Sequence, residues 1–262
     1  MKKTADQGNE SGEEKYKLHS LGSESQLAAR KILLSLFEKC PIPKNELILS
    51  LPLFMRSIAV AKILYINELY QQILYKPGVI MEFGVWYGQD LAMFESFRAV
   101  YEPYNYTRRL IGFDTFEGYT RPSPKDGTSE YAAEGGYATP EGWVEYLDKI
   151  LYCHEQENPL SHIKKYEIIK GDVRITLEKY LKDHPETIIA LAFFDLGLHE
   201  PTKRCLELIE PYLVRGSVIA MDELNSLDFP GETIALREVW GLNKYKIVRS
   251  QYVPDRAYIV IE

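Results

Sequence analysis

The sequence predicts an α/β fold: a single domain on a mainly parallel seven-stranded sheet, preceded by an N-terminal helical cap. Three observations lead there. From residue 79 onward, short and nearly continuous apolar runs alternate with helical stretches, the pattern of parallel strands covered on both faces. Four of these runs end in an acidic residue or run directly into one (Glu82, Asp114, Asp172 and Asp195), and Asp222 adds a fifth. In open α/β sheets the ligand sits outside the carboxyl ends of the strands, so five acids at that edge mark a site. Taken singly, any of them is equally well a helix N-cap.

The elements follow in order. Residues 1–23 are polar, charged and glycine-containing, the composition of a tail that is disordered or orders on binding. Residues 24–76 form the cap. Its first helical pattern starts at Ser25, runs through Leu27, Ile32, Leu33, Leu36 and Phe37, and is closed by Pro41 and Pro43. The second runs from Leu51 to Leu74, with Phe54, Ile58, Ala61, Tyr65 and Leu69 at helical intervals, and stops before Lys76-Pro77-Gly78. Such a cap covers a cofactor site or builds a homodimer interface, and the sequence does not choose between them. Residues 77–262 carry strands at 79–83, 110–114, 166–170, 187–195, 217–222, 247–250 and 258–261. Helices at 89–100, 143–152, 174–182, 201–214 and 233–245 alternate with them. Segment 117–140 is too long and too rich in turn residues for a simple connection, which predicts a lid. Its Tyr119, Tyr131 and Tyr137 are suited to stacking on a sugar or nucleobase face.

Composition narrows the function. A net charge of −7 argues against a nucleic-acid surface, which is normally basic. No apolar run approaches the ~20 residues that cross a bilayer, and the first residues lack the apolar core of a secretory signal. Cys40, Cys153 and Cys205 are few, odd in number and far apart, which suggests reduced thiols in a cytoplasmic protein.

The most informative stretch is 79–90, VIMEFGVWYGQD: a buried strand ending at Glu82, a turn with Gly84 and Gly88, and a helix start. Glycines let the backbone bend tightly and approach a ligand closely. The dinucleotide fingerprint requires G-x-G-x-x-G. Here the spacing is E-x-G-x-x-x-G, which suits a cofactor without phosphates that carries an amino-acid tail and a sulfonium, as S-adenosylmethionine does. The same mismatch argues against a nicotinamide-dependent oxidoreductase.

EFGVWYG, then GFDTFEGY, then KGD, then FFDLGLHEPTKRCLELIEPYLVRGSVIAMDE resembles the macrocin O-methyltransferase family over roughly residues 78 to 225. That resemblance implies a Rossmann-like class I domain that uses S-adenosylmethionine and a divalent metal such as Mg2+ to methylate a sugar hydroxyl. It implies that Glu82 and Gly84, with Gly88 in the same turn, hold the methionine end of the cofactor. Asp114 would take the ribose hydroxyls, and Phe116 and Glu117 would shape the pocket wall. Asp172 and Val173 would lie beside the adenine, although a plain N-cap serves Asp172 as well. Asp195, Asp222 and Glu223 would hold the metal, since hard cations take carboxylate oxygens and crowded carboxylates repel without one.

The chain departs from the family where D-x-D-x-Y reads Asp195-Leu196-Gly197-Leu198-His199, and where Asp-Asp reads Asp222-Glu223. Transfer needs alignment and a base within reach of the attacking hydroxyl. Asp195 and His199 are the nearest in sequence, with Glu134 a more remote choice, and His199 reads equally as a surface residue opening a helix. These departures keep a second function open: N-methylation, or metal-free methylation of a small molecule other than a sugar.

Overall fold

The computed structural model describes residues 22–262 apart from Thr128, Glu130 and Tyr131. The expected tail up to residue 21, and Tyr131 of the expected lid, lie outside the described residues. The chain divides into two compact units, 1–56 and 57–262.

In the first unit, helix α1 (Glu24–Glu38) is opened by a reciprocal cap. The Gln26 N–H donates to Ser23 Oγ at 3.3 Å, and the Ser23 N–H donates to Gln26 Oε1 at 2.9 Å. A one-turn helix α2 (Lys44–Leu47) follows Pro43, and then a 3-10 turn, Leu51–Phe54. Phe37 meets Phe54 edge-on at 5.1 Å. The sequence reads 51–74 as one helix, but the backbone turns extended at Met55 (ψ 124°) and a new helix, α3 (Ser57–Ile73), begins in the second unit. Pro52, which has no N–H, sits at the start of the 3-10 turn, where none is needed. The boundary between units therefore falls at 56–57 rather than 76–77.

The second unit holds β1 (Val79–Phe83), α4 (Gln89–Tyr101), β2 (Leu110–Asp114), α5 (Trp143–Glu157), β3 (Tyr166–Lys170), α6 (Val173–Asp183), β4 (Ile189–Phe194), α7 (His199–Ile209), β5 (Leu213–Met221), α8 (Gly231–Val239), β6 (Ile247–Arg249) and β7 (Ala257–Val260). The sheet order is β3-β2-β1-β4-β5-β7-β6. Strands β1 to β5 are parallel, while β7 pairs antiparallel with both β5 and β6. This is the seven-stranded, mainly parallel sheet that the sequence predicts. Two helices stop early. Pro211 ends α7 at Ile209 rather than 214, and α8 ends at Val239 rather than 245, just before Gly241 in left-handed geometry (φ 73°).

Two apolar layers sandwich the sheet. Ile80 packs with Tyr65, Ile66 and Leu69 of α3, Leu91 and Phe94 of α4, and Leu147 of α5. Val79, Met81 and Phe83 pack with Leu177 of α6, Leu206 of α7 and Leu236 of α8. Because side chains alternate along a strand, Glu82 shares the Ile80 face and points toward α3 and α4. Buried Arg108 fixes that face. Its guanidinium donates to the carbonyls of Ile73 (2.9 Å), Lys76 (2.8 Å) and Gly78 (2.5 Å), tying the end of α3 to the start of β1. The strand order reverses between β1 and β4, so the crevice opens at their carboxyl ends.

Candidate active site

The turn after β1 is held by Asp114. One carboxylate oxygen accepts the N–H groups of Val85 and Trp86, each at 2.7 Å, and the other accepts that of Phe116 at 2.6 Å. Trp86 has φ 47° and Phe116 φ 58°, a region costing non-glycine residues about 1–2 kcal/mol, so these bonds hold a strained turn. Burial raises the Asp114 pKa against the pull of the same backbone bonds. Gly84 is required by packing: with φ 91°, a Cβ there would overlap the carbonyl oxygen of Asp195, so the turn lies flat on the end of β4. Gly88 likewise faces Leu147, where a Cβ would come within 2.5 Å. Phe116, expected in the pocket wall, is buried within the apolar layer that includes Val85, Leu91 and Leu147.

Beside this turn lies a buried trio. Glu82 is 1% exposed and its Oε2 has no hydrogen-bond partner among the described residues; Asp90, at the start of α4, leaves Oδ1 equally unpartnered among them. Lys62 of α3 reaches Asp90 Oδ2 at 2.7 Å. Burial, then the charge of Asp90, pushes the Glu82 carboxyl well above the usual range. Burial alone would lower the Lys62 pKa, but Asp90, Asp195 and Asp222 outweigh it and hold the amine raised.

One strand over, oxygens of Asp195, Asp222 and Glu223 lie within 4.8 Å of one another. Glu232 of α8, fully buried, ties the loops together by accepting the N–H groups of Leu196 (3.1 Å), Gly197 (3.2 Å) and Glu223 (3.2 Å). Arg256 forms an ion pair with Asp222, with Nη2 at 2.9 Å from Oδ2. Burial followed by like charge raises the neighbouring carboxyls: Asp195 through Asp222, Glu223 through Glu232, and Glu232 itself, up to about 7, through Asp222. A divalent cation fits these residues, because the Glu223 Oε2 is buried without a partner and the carboxylates outnumber the nearby Lys62 and Arg256.

The expected lid is folded. The Tyr119 N–H donates to Gly136 O and the Gly135 N–H to Tyr119 O, both at 2.9 Å, and Thr139 N–H closes onto Phe116 O at 3.2 Å. Asp126, 2% exposed, caps a 3-10 turn with Ser123 and accepts the backbone N–H of His199 at 2.5 Å. Tyr119, Tyr137 and Phe229 cluster, with ring centroids 5.2–6.4 Å apart, and Tyr137 meets Trp86 edge-on at 5.6 Å. Burial, then the charge of Glu223, lifts the Tyr119 pKa well above its ordinary value.

The remaining expected residues divide. His199 opens α7, but as a fully buried residue rather than the surface one the sequence suggests. Its Nε2 lies 3.1 Å from Glu238 and 3.4 Å from Lys125, so the ring joins segment 117–140 to α8. Glu134 is exposed. Asp172 is the N-cap of α6, accepting the Arg174 N–H at 3.0 Å while the Arg174 guanidinium takes both oxygens and holds its pKa down. The first helical residue, Val173, has an N–H with no acceptor inside the helix. Lys62, Glu232, Arg256 and the particular role of Tyr119 are not foreseen from sequence, and Asp90, though within the quoted motif, carries no assignment there.

An open α/β sheet with this strand order and an acid-lined turn after β1 defines a class I S-adenosylmethionine-dependent methyltransferase. The chain is similar to CalS11, a calicheamicin methyltransferase, at 42% identity over 91% of this chain and 93% of that one, with a TM-score of 0.89. The apo structure of CalS11, described as a TDP-rhamnose 3'-O-methyltransferase, matches at 40% identity over 91% and 95%, with a TM-score of 0.81. The O-methyltransferase NovP shares the fold at 16% identity over 77% and 80%, with a TM-score of 0.57. No family model matches the chain, and no curated protein does. At the identity and coverage shared with CalS11, the chain belongs to that enzyme's family, the deoxysugar O-methyltransferases that its motifs resemble.

Proposed function

We propose that this enzyme transfers the methyl group of S-adenosylmethionine to a hydroxyl of a sugar or sugar-bearing metabolite. The observation that carries the reading is the likeness to CalS11 along nearly the whole chain. Glu82, with an unpartnered buried oxygen, suits the cofactor's ammonium, and Gly84 and Gly88 shape the turn around it. The Val173 N–H suits an adenine acceptor nitrogen, whereas Asp172 serves as its helix cap. Asp114 orders the turn that the ribose would meet.

When bound, the cofactor supplies an electrophilic methyl on a sulfonium. Asp195 would take the proton of the acceptor hydroxyl as that hydroxyl is methylated. We favour Asp195 as base over His199 because it directly follows β4 within the acid cluster, whereas the His199 ring is engaged with Glu238. Asp195, Asp222 and Glu223 would hold Mg2+, whose charge would ease ionisation of the acceptor hydroxyl. The Arg256–Asp222 pair supports a second reading, in which transfer runs without metal because the protein supplies the cation.

The three free cysteines and net negative charge suit a cytoplasmic enzyme with no nucleic-acid partner. Among the described residues no helix is long and apolar enough to cross a membrane. Exposed Ile32, Leu34 and Leu36 on α1 suit a homodimer contact. The test is a methyl-transfer assay on a panel of nucleotide-linked and glycoside deoxysugars, run with Mg2+ and with EDTA. Transfer to a sugar hydroxyl supports the reading, transfer only to an amine overturns it, and EDTA decides between the metal and metal-free forms.

A further inference from the structure

We infer that the Tyr119 hydroxyl orients the methyl acceptor, donating a hydrogen bond to an oxygen next to the one methylated, and that Gly197 is the residue that makes room for it. The inference rests on the sugar O-methyltransferase reading and names the residue that selects an acceptor with two neighbouring oxygens.

Tyr119 is brought to the site by the lid. Its backbone pairs with Gly135 and Gly136, and its ring is wedged against Tyr137 and Phe229, so the side chain has little freedom to swing away. The hydroxyl comes to rest over the α-carbon of Gly197, two residues beyond Asp195. A Cβ on residue 197 would stand 2.6 Å from the hydroxyl oxygen and 3.2 Å from the Phe229 ring. Any side chain there forces Tyr119 and its lid segment outward. Gly197 also sits at φ 63°, where other residues are strained. The glycine at the second acidic position of the family motif thus admits a tyrosine from 78 residues earlier in the chain.

The negative charges of Glu223, Asp195 and Glu232 act on the hydroxyl, and among the described residues none accepts a hydrogen bond from it. A phenol is protonated at neutral pH, so it offers a donor. A donor held by packing and left without an acceptor beside the proposed base is suited to a substrate oxygen. One acceptor hydroxyl would lie at Asp195 and its neighbour at Tyr119, a two-point hold that fixes which hydroxyl faces the methyl group. Tyrosine also supplies an apolar face for the sugar ring.

The test combines a binding experiment and a stability cycle. Calorimetric titration of TDP-rhamnose into enzyme saturated with S-adenosylhomocysteine would compare wild type with Tyr119→Phe. The expected result is about tenfold weaker TDP-rhamnose binding, worth ~1.4 kcal/mol, with affinity for S-adenosylhomocysteine within about twofold of wild type. In the stability cycle, Gly197→Ala lowers the melting temperature, and adding Tyr119→Phe recovers part of the loss, because the hydroxyl oxygen, at 2.6 Å, is the described atom nearest to that Cβ. Unchanged TDP-rhamnose binding by Tyr119→Phe overturns the orienting role, and strictly additive melting shifts overturn the pairing with Gly197. Wild-type enzyme that binds S-adenosylhomocysteine but neither TDP-rhamnose nor any other deoxysugar of the assay panel overturns the acceptor role together with the sugar reading, while the stability cycle still decides the pairing.

Discussion

Asp114→Asn separates two roles for the acid that ends β2. As a ribose ligand alone it would matter only when cofactor is bound. As the clamp of the β1–α4 turn it matters in the empty protein too. The carboxylate accepts three backbone N–H groups, two on one oxygen and one on the other. Asparagine has one carbonyl oxygen, so its best orientation keeps the bonds from Val85 and Trp86 and turns an NH2 group onto the Phe116 N–H. That removes one hydrogen bond to a charged acceptor, worth about 1.5–3 kcal/mol. Relief of the buried charge, which already raises the Asp114 pKa, returns part of this. The net cost is about 2 kcal/mol, and at ~2–4 °C per kcal/mol for a chain of this size the melting temperature should fall by about 4–8 °C without ligand. Thermal unfolding of the empty protein measures it, and titration with S-adenosylhomocysteine should show at least tenfold weaker binding as the turn loosens. A variant that melts like wild type yet loses cofactor affinity would refute the clamp and return Asp114 to the ribose alone.

Four further outcomes follow from the buried charges. Mg2+ at about 100 times its dissociation constant should stabilise wild type by ~2.7 kcal/mol and leave Asp222→Asn nearly unmoved. Because carboxyls that bind metal must first lose their protons, and burial with like charge raises those of Asp195 and Glu223, Mg2+ affinity measured calorimetrically should rise with pH. Lys62→Met leaves Asp90 as an uncompensated buried charge, and denaturant unfolding should show a loss of about 3 kcal/mol, most of it recovered in Lys62→Met/Asp90→Asn. Glu95, fully buried with its pKa pushed up to about 8 by desolvation, keeps its proton in the folded state while the unfolded chain loses it near 4.5. Its contribution to stability is therefore lost as pH rises from about 4.5 to 8. Melting curves between pH 5 and 9 should fall less steeply for Glu95→Gln than for wild type, and equal slopes would contradict the assignment.

The central strands β1, β2 and β4 were legible because they are buried on both faces and so read as nearly continuous apolar runs. The acids at their ends were legible for the same reason, since a charge terminating such a run needs an explanation. What those acids touch was not legible. Asp114 and Asp172 bond backbone and side-chain groups of adjacent turns, and that choice depends on loop dihedrals that no spacing rule encodes. Lys62, Glu232 and Arg256 lie on α3, at the start of α8 and just before β7, in stretches that read as ordinary amphipathic surface. Only the sheet order, which sets β4 and β5 beside each other and β7 next to them, brings Arg256 and Glu232 to the strand-end acids.

Gly197 shows how far this reaches. As a motif position it looks like a lost metal ligand, a reason to doubt the site. Within the fold it is the space that Tyr119 occupies, and restoring an acidic side chain there would drive the lid tyrosine out. The departure therefore changes what the site presents beside Asp195, from a further carboxylate to a neutral donor. A site already carrying Asp195, Asp222, Glu223 and Glu232 has no electrostatic need of another anion. A donor that can grip an acceptor oxygen is the group those acids cannot provide.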